Sequence, residues 1–163
     1  MNTLLRNISR LSTPVGEGYA VSTIENAALG ITDGKFAYIG PEAELPDIRF
    51  DREYDCRGLM ATPGLIDAHT HPVFAATRER EFHLRNTGVS YADIAAQGGG
   101  IRSSVRELRK INREQLVGIL RRRFQGFLQL GTTTIEAKSG YGLSPEAEIK
   151  SLQALQEASD HPL

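Results

Sequence analysis

Two histidines, His69 and His71, stand one residue apart in the stretch GLIDAHTH, at the end of an apolar run that predicts a buried strand. Side chains two residues apart in a strand share a face, so the two imidazoles should converge, with Asp67 on the same side. Neutral imidazole binds Zn, Fe, Ni and Cu, so the pair indicates a metal site without naming the metal. His-x-His pairs also occur by chance on protein surfaces, and two ligands do not complete a site.

The elements after Pro63 alternate between strand and helix. A Gly-bearing loop region follows GLIDAHTHPVF, and Asn112 with Gln115 then forms a capping-box pattern for a helix of about 18 residues that Gly131 ends. The β-branched stretch TTTIEAK predicts a second strand, and Ser144 with the next residue, a proline, starts a helix to about residue 159. This order predicts parallel strands, and two parallel strands do not form a stable sheet alone.

The first 60 residues have a β pattern. Alternating runs such as TLLRNI and ALGITDGKFAYIG predict a small antiparallel sheet, and Asp33-Gly34 between apolar runs is a type I′ hairpin signal. Pro41, Pro46 and Pro63 interrupt this half. The chain therefore changes from all-β to alternating structure near residue 62.

Composition narrows the function classes. The chain has 163 residues, of which 40% are hydrophobic and 24% charged, with a formal net charge of -1, so nothing global indicates nucleic acid or a membrane.

The sequence RRR at 121–123 lies on the predicted helix and is typical of a solvated or salt-bridged face. The single cysteine, Cys56, excludes an internal disulfide and favours the cytosol. QGGGI, at 97–101, follows no predicted strand and indicates a mobile loop rather than a phosphate cradle.

The motifs resemble a known family. TPGLIDAHTHPVF resembles the first-strand signature of the amidohydrolase superfamily, and GITDGKFAYIGP with YDCRGLMATPG resembles the β-sandwich that opens many of its members. Within the superfamily, HTHPVFAATRERE, SYADIAAQGGGI and GTTTIEAKSGYGLSPEAEIKSL are similar to the imidazolonepropionases, with KSGYGL the most specific piece. The resemblance runs from about residue 29 to the end.

The resemblance implies an α/β fold class: the N-terminal part of a (β/α)₈ TIM barrel, preceded by part of a small antiparallel β-sandwich. Residues 1–61 would supply the sandwich portion and residues 62–163 the first strand-helix units of the barrel. A barrel of this kind needs about 250 residues. The resemblance therefore implies a truncated chain, an N-terminal fragment of the family pattern.

The resemblance also implies an activity and a set of site residues. The family hydrolyses 4-imidazolone-5-propanoate to N-formimidoyl-L-glutamate in histidine degradation, using one Zn or Fe ion, and many members are homodimers. His69 and His71 match the first two metal ligands. Arg78 and Tyr141 match substrate-binding residues, and Tyr91 is a weaker candidate for the substrate ring. The later His and Asp ligands, a substrate-binding His and the acidic proton-transfer residue have no counterpart here, so this chain alone is expected to be inactive.

Other interpretations stay open at this stage. Another cyclic amidohydrolase or a deaminase of the superfamily would share DAHTH, but would not be expected to combine KSGYGL with an Arg nine residues after the first His. A non-catalytic fragment acting as an assembly module is the second alternative. Lys138 is expected to pair with Glu136 rather than bridge metals, and His83 and His161 are expected on the surface.

Overall fold

The computed structural model describes residues 2–15 and 20–159, and the chain divides into two compact units, with the boundary between Pro63 and Gly64. The structure is a mixed α/β structure, in agreement with the predicted fold class. In the part of the chain that is described, no helix is both long and apolar enough to cross a membrane.

The N-terminal unit is one five-stranded sheet in the order β3-β2-β1-β4, with β5 also paired to β1. Asp33 and Gly34 join β2 to β3 with φ angles of 50° and 74°, the positive values that a type I′ turn needs. The strands are β1 (Thr3–Pro14), β2 (Val21–Thr32), β3 (Lys35–Pro41), β4 (Arg52–Asp55) and β5 (Met60–Ala61).

The sheet is mixed, so the prediction of a purely antiparallel sheet is wrong. Strands β4 and β5 pair with β1 in parallel. The reason is that the chain after β3 turns through a short 3₁₀ helix, Glu42–Glu44, and returns on the free edge of β1 in the direction of β1. Cys56 is a free, half-buried thiol that packs against the core around Ile8, Leu11 and Ala27.

Up to residue 159, the C-terminal unit contains two parallel strands, β6 (Leu65–Thr70) and β7 (Thr132–Ala137), and five helices. The predicted helix after Asn112 is present, since Asn112 and Gln115 form a complete capping box at its start. The predicted second strand and last helix are also present. The helices are α1 (Glu79–Asn86), α2 (Tyr91–Ala96), α3 (Ile101–Lys110), α4 (Arg113–Gln129) and α5 (Pro145–Ser159).

Three of these helices, α1 to α3, lie where the sequence predicted a loop region. Helices α1 and α2 have only eight and six residues. Helix α1 has no buried residue and α2 has one, Ile94, so neither shows an apolar periodicity that identifies a helix in the sequence. Ser90 caps α2 by accepting a hydrogen bond from the Asp93 N–H at 3.1 Å, and Gly100 begins α3 at a φ of 66°. The glycine run is therefore the junction between two helices.

The core of the C-terminal unit lies between α4, α5 and the strands. Leu116 and Leu120 of α4 are completely buried, as is Leu108 of α3. Ile135 and Ala137 of β7 pack against this cluster. The helices therefore cover one face of the two-stranded sheet, while Leu65 and Ile66 of β6 remain 57% and 73% exposed.

Replacing Leu116 by Ala should lower the free energy of unfolding by about 2–5 kcal/mol, because it removes buried methyl groups and leaves a cavity. Leu130→Ala is the matched control, since Leu130 is 81% exposed; it should change stability by about 0.5 kcal/mol or less. Urea unfolding followed by circular dichroism measures both. Equal losses for the two variants would contradict the position of the core.

Candidate functional site

The two histidines lie together at the end of β6. Their ring centroids are 5.1 Å apart, with the ring planes inclined at 65°, and both side chains are exposed. The Lys138 N–H donates to the Thr70 carbonyl at 2.8 Å, which fixes the end of the strand, and Pro72 then leaves it. Strand pairing thus holds the backbone that carries both imidazoles.

Asp67 does not follow the predicted alternation. Pairing passes from Asp67 opposite Ile135 to Thr70 opposite Ala137, so three steps along β6 match two along β7. The Asp67 carboxylate accepts a hydrogen bond from the His69 N–H at 3.1 Å within this irregular segment. Since residues opposite each other share a face, Asp67 lies on the face of Ile135, which packs toward the helices. It supports the backbone of the pair instead of joining it.

Tyr141 lies beside the second histidine. Its ring centroid is 5.9 Å from that of His71, in an edge-on arrangement, and 6.4 Å from that of Phe74. Gly140 makes this approach feasible, because its φ is 132° and a Cβ there would stand 3.3 Å from His71 Cε1. The loop after β7 therefore carries Tyr141 to the loop after β6.

Two charged side chains hold the backbone of that loop, one through its N–H groups and one through its carbonyls. The Glu148 carboxylate accepts hydrogen bonds from the N–H groups of Gly140, Gly142 and Leu143, each at 2.8 Å. The Arg109 guanidinium donates to the carbonyls of Gly142 and Leu143, also at 2.8 Å. Burial raises the pKa of the Glu148 carboxyl, but the hydrogen bonds from the loop outweigh it and hold the pKa below its usual value.

Arg123 holds the backbone of the loop after β6 in a similar way. Its guanidinium lies 3.4 Å from the ring centroid of Phe74 and donates to the carbonyls of Pro72 and Phe74 at 2.6 Å. Burial lowers its pKa to about 10, with a smaller contribution from Arg122. The prediction of a solvated RRR face is therefore wrong for Arg123. Its spacing from Leu120, three residues earlier, places it on the buried stripe of α4, and this is the signal that could have revealed it.

Arg78 lines two cavities, and the other two predicted substrate-binding residues, Tyr141 and Tyr91, each line one of them. One cavity, of about 240 Å³, is lined by Phe74, Ala76, Thr77, Arg78, Ser104 and Tyr141. The other, of about 440 Å³, is lined by Arg78, Glu79, Glu81, Phe82, Arg85 and Tyr91. Arg78 precedes α1 and pairs with Glu81 at 3.7 Å. The structure thus brings Arg78 and Tyr141 to one cavity, next to His71, and Tyr91 to the adjoining one.

Two imidazoles fit a metal as part of its ligand set. Among residues 2–15 and 20–159 no group of three His, Cys, Asp or Glu side chains could hold an ion, so further ligands would have to come from outside this region. Glu136 is engaged by Lys138, as expected; this hydrogen bond, then the charges of Lys138 and His69, lower the pKa of Glu136. His83 is exposed in α1, and His161 lies outside the described residues.

The proteins similar in sequence include imidazolonepropionases of several bacteria. The chain is 44% identical over 157 residues to the imidazolonepropionase of Shewanella denitrificans, 48% over 139 residues to that of Pseudomonas putida, and 44% over 147 residues to that of Brucella anthropi. These alignments cover 95%, 85% and 90% of the chain but 37%, 35% and 36% of the relatives. The chain therefore spans just over a third of their length. No protein-family model matches it.

Solved structures show the same fold at lower identity. A triazine hydrolase variant superimposes with a TM-score of 0.62 at 22% identity, over 97% of this chain and 33% of that one. The guanine deaminase of C. acetobutylicum gives 0.57 at 17% identity, over 96% and 34%. The atrazine chlorohydrolase of Arthrobacter aurescens, complexed with zinc, gives 0.56 at 20% identity, over 95% and 33%. At these identities the likeness concerns the fold alone.

Replacing Glu148 by Gln should destabilise the protein in a pH-dependent way. Because the folded-state pKa of Glu148 lies below 4.5, its carboxylate contributes stability that is fully present above pH 4.5 and lost as the pH falls through the lower folded-state pKa. The gap in unfolding free energy between wild type and Glu148→Gln should therefore shrink below pH 4.5. Urea titrations from pH 7 to about pH 3 measure it, with exposed Glu146→Gln as the control. A gap independent of pH would contradict the role of the charge.

Arg123→Lys should cost roughly 1–3 kcal/mol of unfolding free energy, because an ammonium cannot stack on Phe74 and donate to two carbonyls with the same fork. Arg122→Lys, at the exposed neighbouring position, is the control and should fall within about 0.5 kcal/mol of wild type. Chemical denaturation compares the two. Similar small effects for both variants would show that Arg123 does not anchor the loop.

Proposed function

We propose that this chain, a homologue of the imidazolonepropionases along nearly its whole length, is part of an enzyme that hydrolyses 4-imidazolone-5-propanoate to N-formimidoyl-L-glutamate. The observation that carries the proposal is the position of Tyr141, whose ring stands against His71 and also lines the cavity of Arg78. Tyr141 is thus next to a candidate metal ligand and lines the same cavity as a cation suited to a carboxylate.

The fold proposal follows from the parallel strands. We assign the C-terminal unit, residues 62–163 in the sequence-based division, to the first strand-helix units of a (β/α)₈ barrel, and residues 1–61 to part of a β-sandwich. The support is the parallel pairing of β6 with β7, with helices on one face, and the similarity to hydrolases and a deaminase of the amidohydrolase type. In such barrels the residues at the carboxyl ends of strands form the active site. His69 and Tyr141 occupy these positions.

The metal proposal rests on the donor set. His69 and His71 would hold one Zn or Fe ion together with ligands from outside residues 2–15 and 20–159. A divalent ion bound there supplies acidification of water and polarisation of a carbonyl. The choice between Zn and Fe is open, because imidazole suits both.

The substrate proposal assigns one contact to each side chain. The planar guanidinium of Arg78 would pair with the propanoate carboxylate, which it matches in a bidentate manner. The Tyr141 hydroxyl, next to His71, would donate a hydrogen bond to the part of the substrate nearest the metal ligands. Tyr91, in the adjoining cavity and 55% exposed, would contact the ring only if the substrate also reaches that cavity.

The reaction needs a proton-transfer group in addition to these contacts. The oxygen of water adds to the ring carbonyl carbon, the bond from that carbon to the ring nitrogen breaks, and the nitrogen takes up a proton. In the described site Glu136 is engaged by Lys138, Asp67 accepts the His69 N–H, and Glu148 accepts N–H groups of the loop after β7. We therefore expect the 163-residue chain alone to be inactive.

The alternatives have less support. A deaminase or other cyclic amidohydrolase agrees with the fold, but those structures share only 17–22% identity, whereas the imidazolonepropionases share 42–49%. An assembly module is favoured by one observation, the exposure of Leu65 and Ile66 on the short sheet. The same exposure is expected of an incomplete barrel.

The remaining parts of the proposal concern the binding partners, the cellular compartment and the oligomeric state of the enzyme. The substrate is a small molecule, and a role with nucleic acid or membranes is not proposed. One free cysteine suits the reducing cytosol. A homodimer in the full-length form stays a prediction from the family.

The test is turnover by the whole enzyme of which this chain is proposed to be part, expressed from its native gene, with the 163-residue chain as the inactive comparison. We expect loss of imidazolonepropanoate absorbance and about one metal ion per chain. His69→Asn should lose both, because it removes a ligand, whereas His83→Asn, at an exposed site in α1, should retain both. Elemental analysis and the ultraviolet assay provide the readouts. Turnover retained in His69→Asn, or no turnover in a wild-type protein loaded with metal, would contradict the proposal.

A further inference from the structure

Ser104 is a buried serine that lines the small cavity of Arg78 and Tyr141. It lies in the first turn of α3, is 5% exposed, and lines that cavity. Among the residues that the structure describes, none forms a hydrogen bond with Ser104 Oγ. Ser104 Oγ is also not among the fully buried side-chain atoms without a partner, which in the described residues are Thr32 Oγ1 and Arg121 Nε, so the hydroxyl keeps some accessible surface.

Other serines in helices of this unit behave differently. Ser151, which is completely buried, donates to the Ala147 carbonyl at 2.8 Å, and Ser159 donates to the Leu155 carbonyl at 2.8 Å. This bond to the carbonyl four residues earlier is the usual way in which a helical serine is satisfied. Ser103, next to Ser104, instead accepts a hydrogen bond from Arg106 at 3.2 Å. Ser104 alone among these four has its hydroxyl free for a molecule in the cavity.

The position of Ser104 relative to Arg78 is set by one carboxylate. Glu81 accepts the Gly100 N–H at 2.9 Å through one oxygen, and its other oxygen lies 3.7 Å from Arg78 Nη1. Gly100 is the residue from which α3 starts, and Ser104 follows one turn later. Glu81 therefore contacts both Arg78 and the start of the helix that carries Ser104.

The chemistry of the cavity suits an anion. Its lining contains one guanidinium, three hydroxyls and no carboxylate. The hydroxyl of Thr77 already donates to Glu79, which leaves those of Ser104 and Tyr141 beside Arg78. With about 240 Å³ the cavity is smaller than the ~300–1,000 Å³ of sites that enclose whole ligands, so it would take one arm of a larger molecule.

We propose that Ser104 is a further substrate-binding residue, whose hydroxyl donates a hydrogen bond to the carboxylate that Arg78 pairs with. This inference rests on the proposed function for the identity of the substrate, and it adds the group that orients its propanoate arm. The hydroxyl contributes to binding and selects ligands that carry the carboxylate. It takes no part in breaking the ring bond.

The experiment compares Ser104→Ala with Ser103→Ala in the protein expressed from its native gene. The binding probes are imidazole-4-propanoate and 4-propylimidazole, which lacks the carboxylate, measured by calorimetry. We expect Ser104→Ala to weaken binding of imidazole-4-propanoate about tenfold and to leave 4-propylimidazole unchanged, because only one neutral-to-charged hydrogen bond is lost. Ser103→Ala should bind both probes as wild type does.

Enzyme kinetics separate this inference from the proposed function. Ser104→Ala should raise KM for imidazolonepropanoate about tenfold with kcat within twofold of wild type, and thermal unfolding should show that it remains folded. Equal affinities of wild type and Ser104→Ala for imidazole-4-propanoate, in an enzyme that turns over, would overturn the role of Ser104 alone. A wild-type protein that neither turns over nor prefers the carboxylate probe would overturn the proposed function and this inference together.

Discussion

The hydrogen bond from the Lys138 N–H to the Thr70 carbonyl, 2.8 Å long, is the contact on which the site depends. This hydrogen bond joins the carboxyl end of β6 to the residue that follows β7, so the two strands end side by side. The residues that leave β6 include His71, and those that leave β7 include Tyr141. Parallel pairing in this register therefore places two loops, distant in the sequence, against each other.

Each of these loops is then fixed by charged side chains from the helices behind the sheet. Arg123 binds the carbonyls that follow β6, while Glu148 accepts N–H groups and Arg109 donates to carbonyls of the loop after β7. Beyond Lys138, where the hydrogen bonds between the two strands end, these three side chains provide the hydrogen bonds to the loop backbone. A binding site built on loops gains precision when such interactions hold the backbone, and this explains why a buried core supports exposed imidazoles.

The sequence predicted the elements with strong local signals. The capping box at Asn112, the Asp33-Gly34 hairpin and the β-branched second strand are all present, because each depends on interactions within a few residues. It did not predict α1, α2 and α3, of which α1 and α2 are only eight and six residues long. It also did not predict the parallel pairing of β4, which depends on a return of the chain to a distant edge. Arg123 was misjudged because charge suggested solvent, while its helical spacing indicated burial.

For the site, the sequence indicated residue types but not their surroundings. His69 and His71 were recognisable from spacing and from the family resemblance, whereas the position of Asp67 follows from an irregularity in strand pairing that no local pattern predicts. Glu148 and Ser104 gave no signal, since their roles arise from contacts with residues that the helices bring near them. Tertiary packing supplies this information.

The most direct test of the account is to follow the imidazole nitrogens by NMR while Zn²⁺ is added to the protein. The account predicts that the signals of His69 and His71 shift together at the same zinc concentration, with the Tyr141 ring signals changing in parallel and those of His83 unchanged. Separate responses of the two histidines, or a response shared with His83, would contradict the claim that the end of β6 presents one paired site.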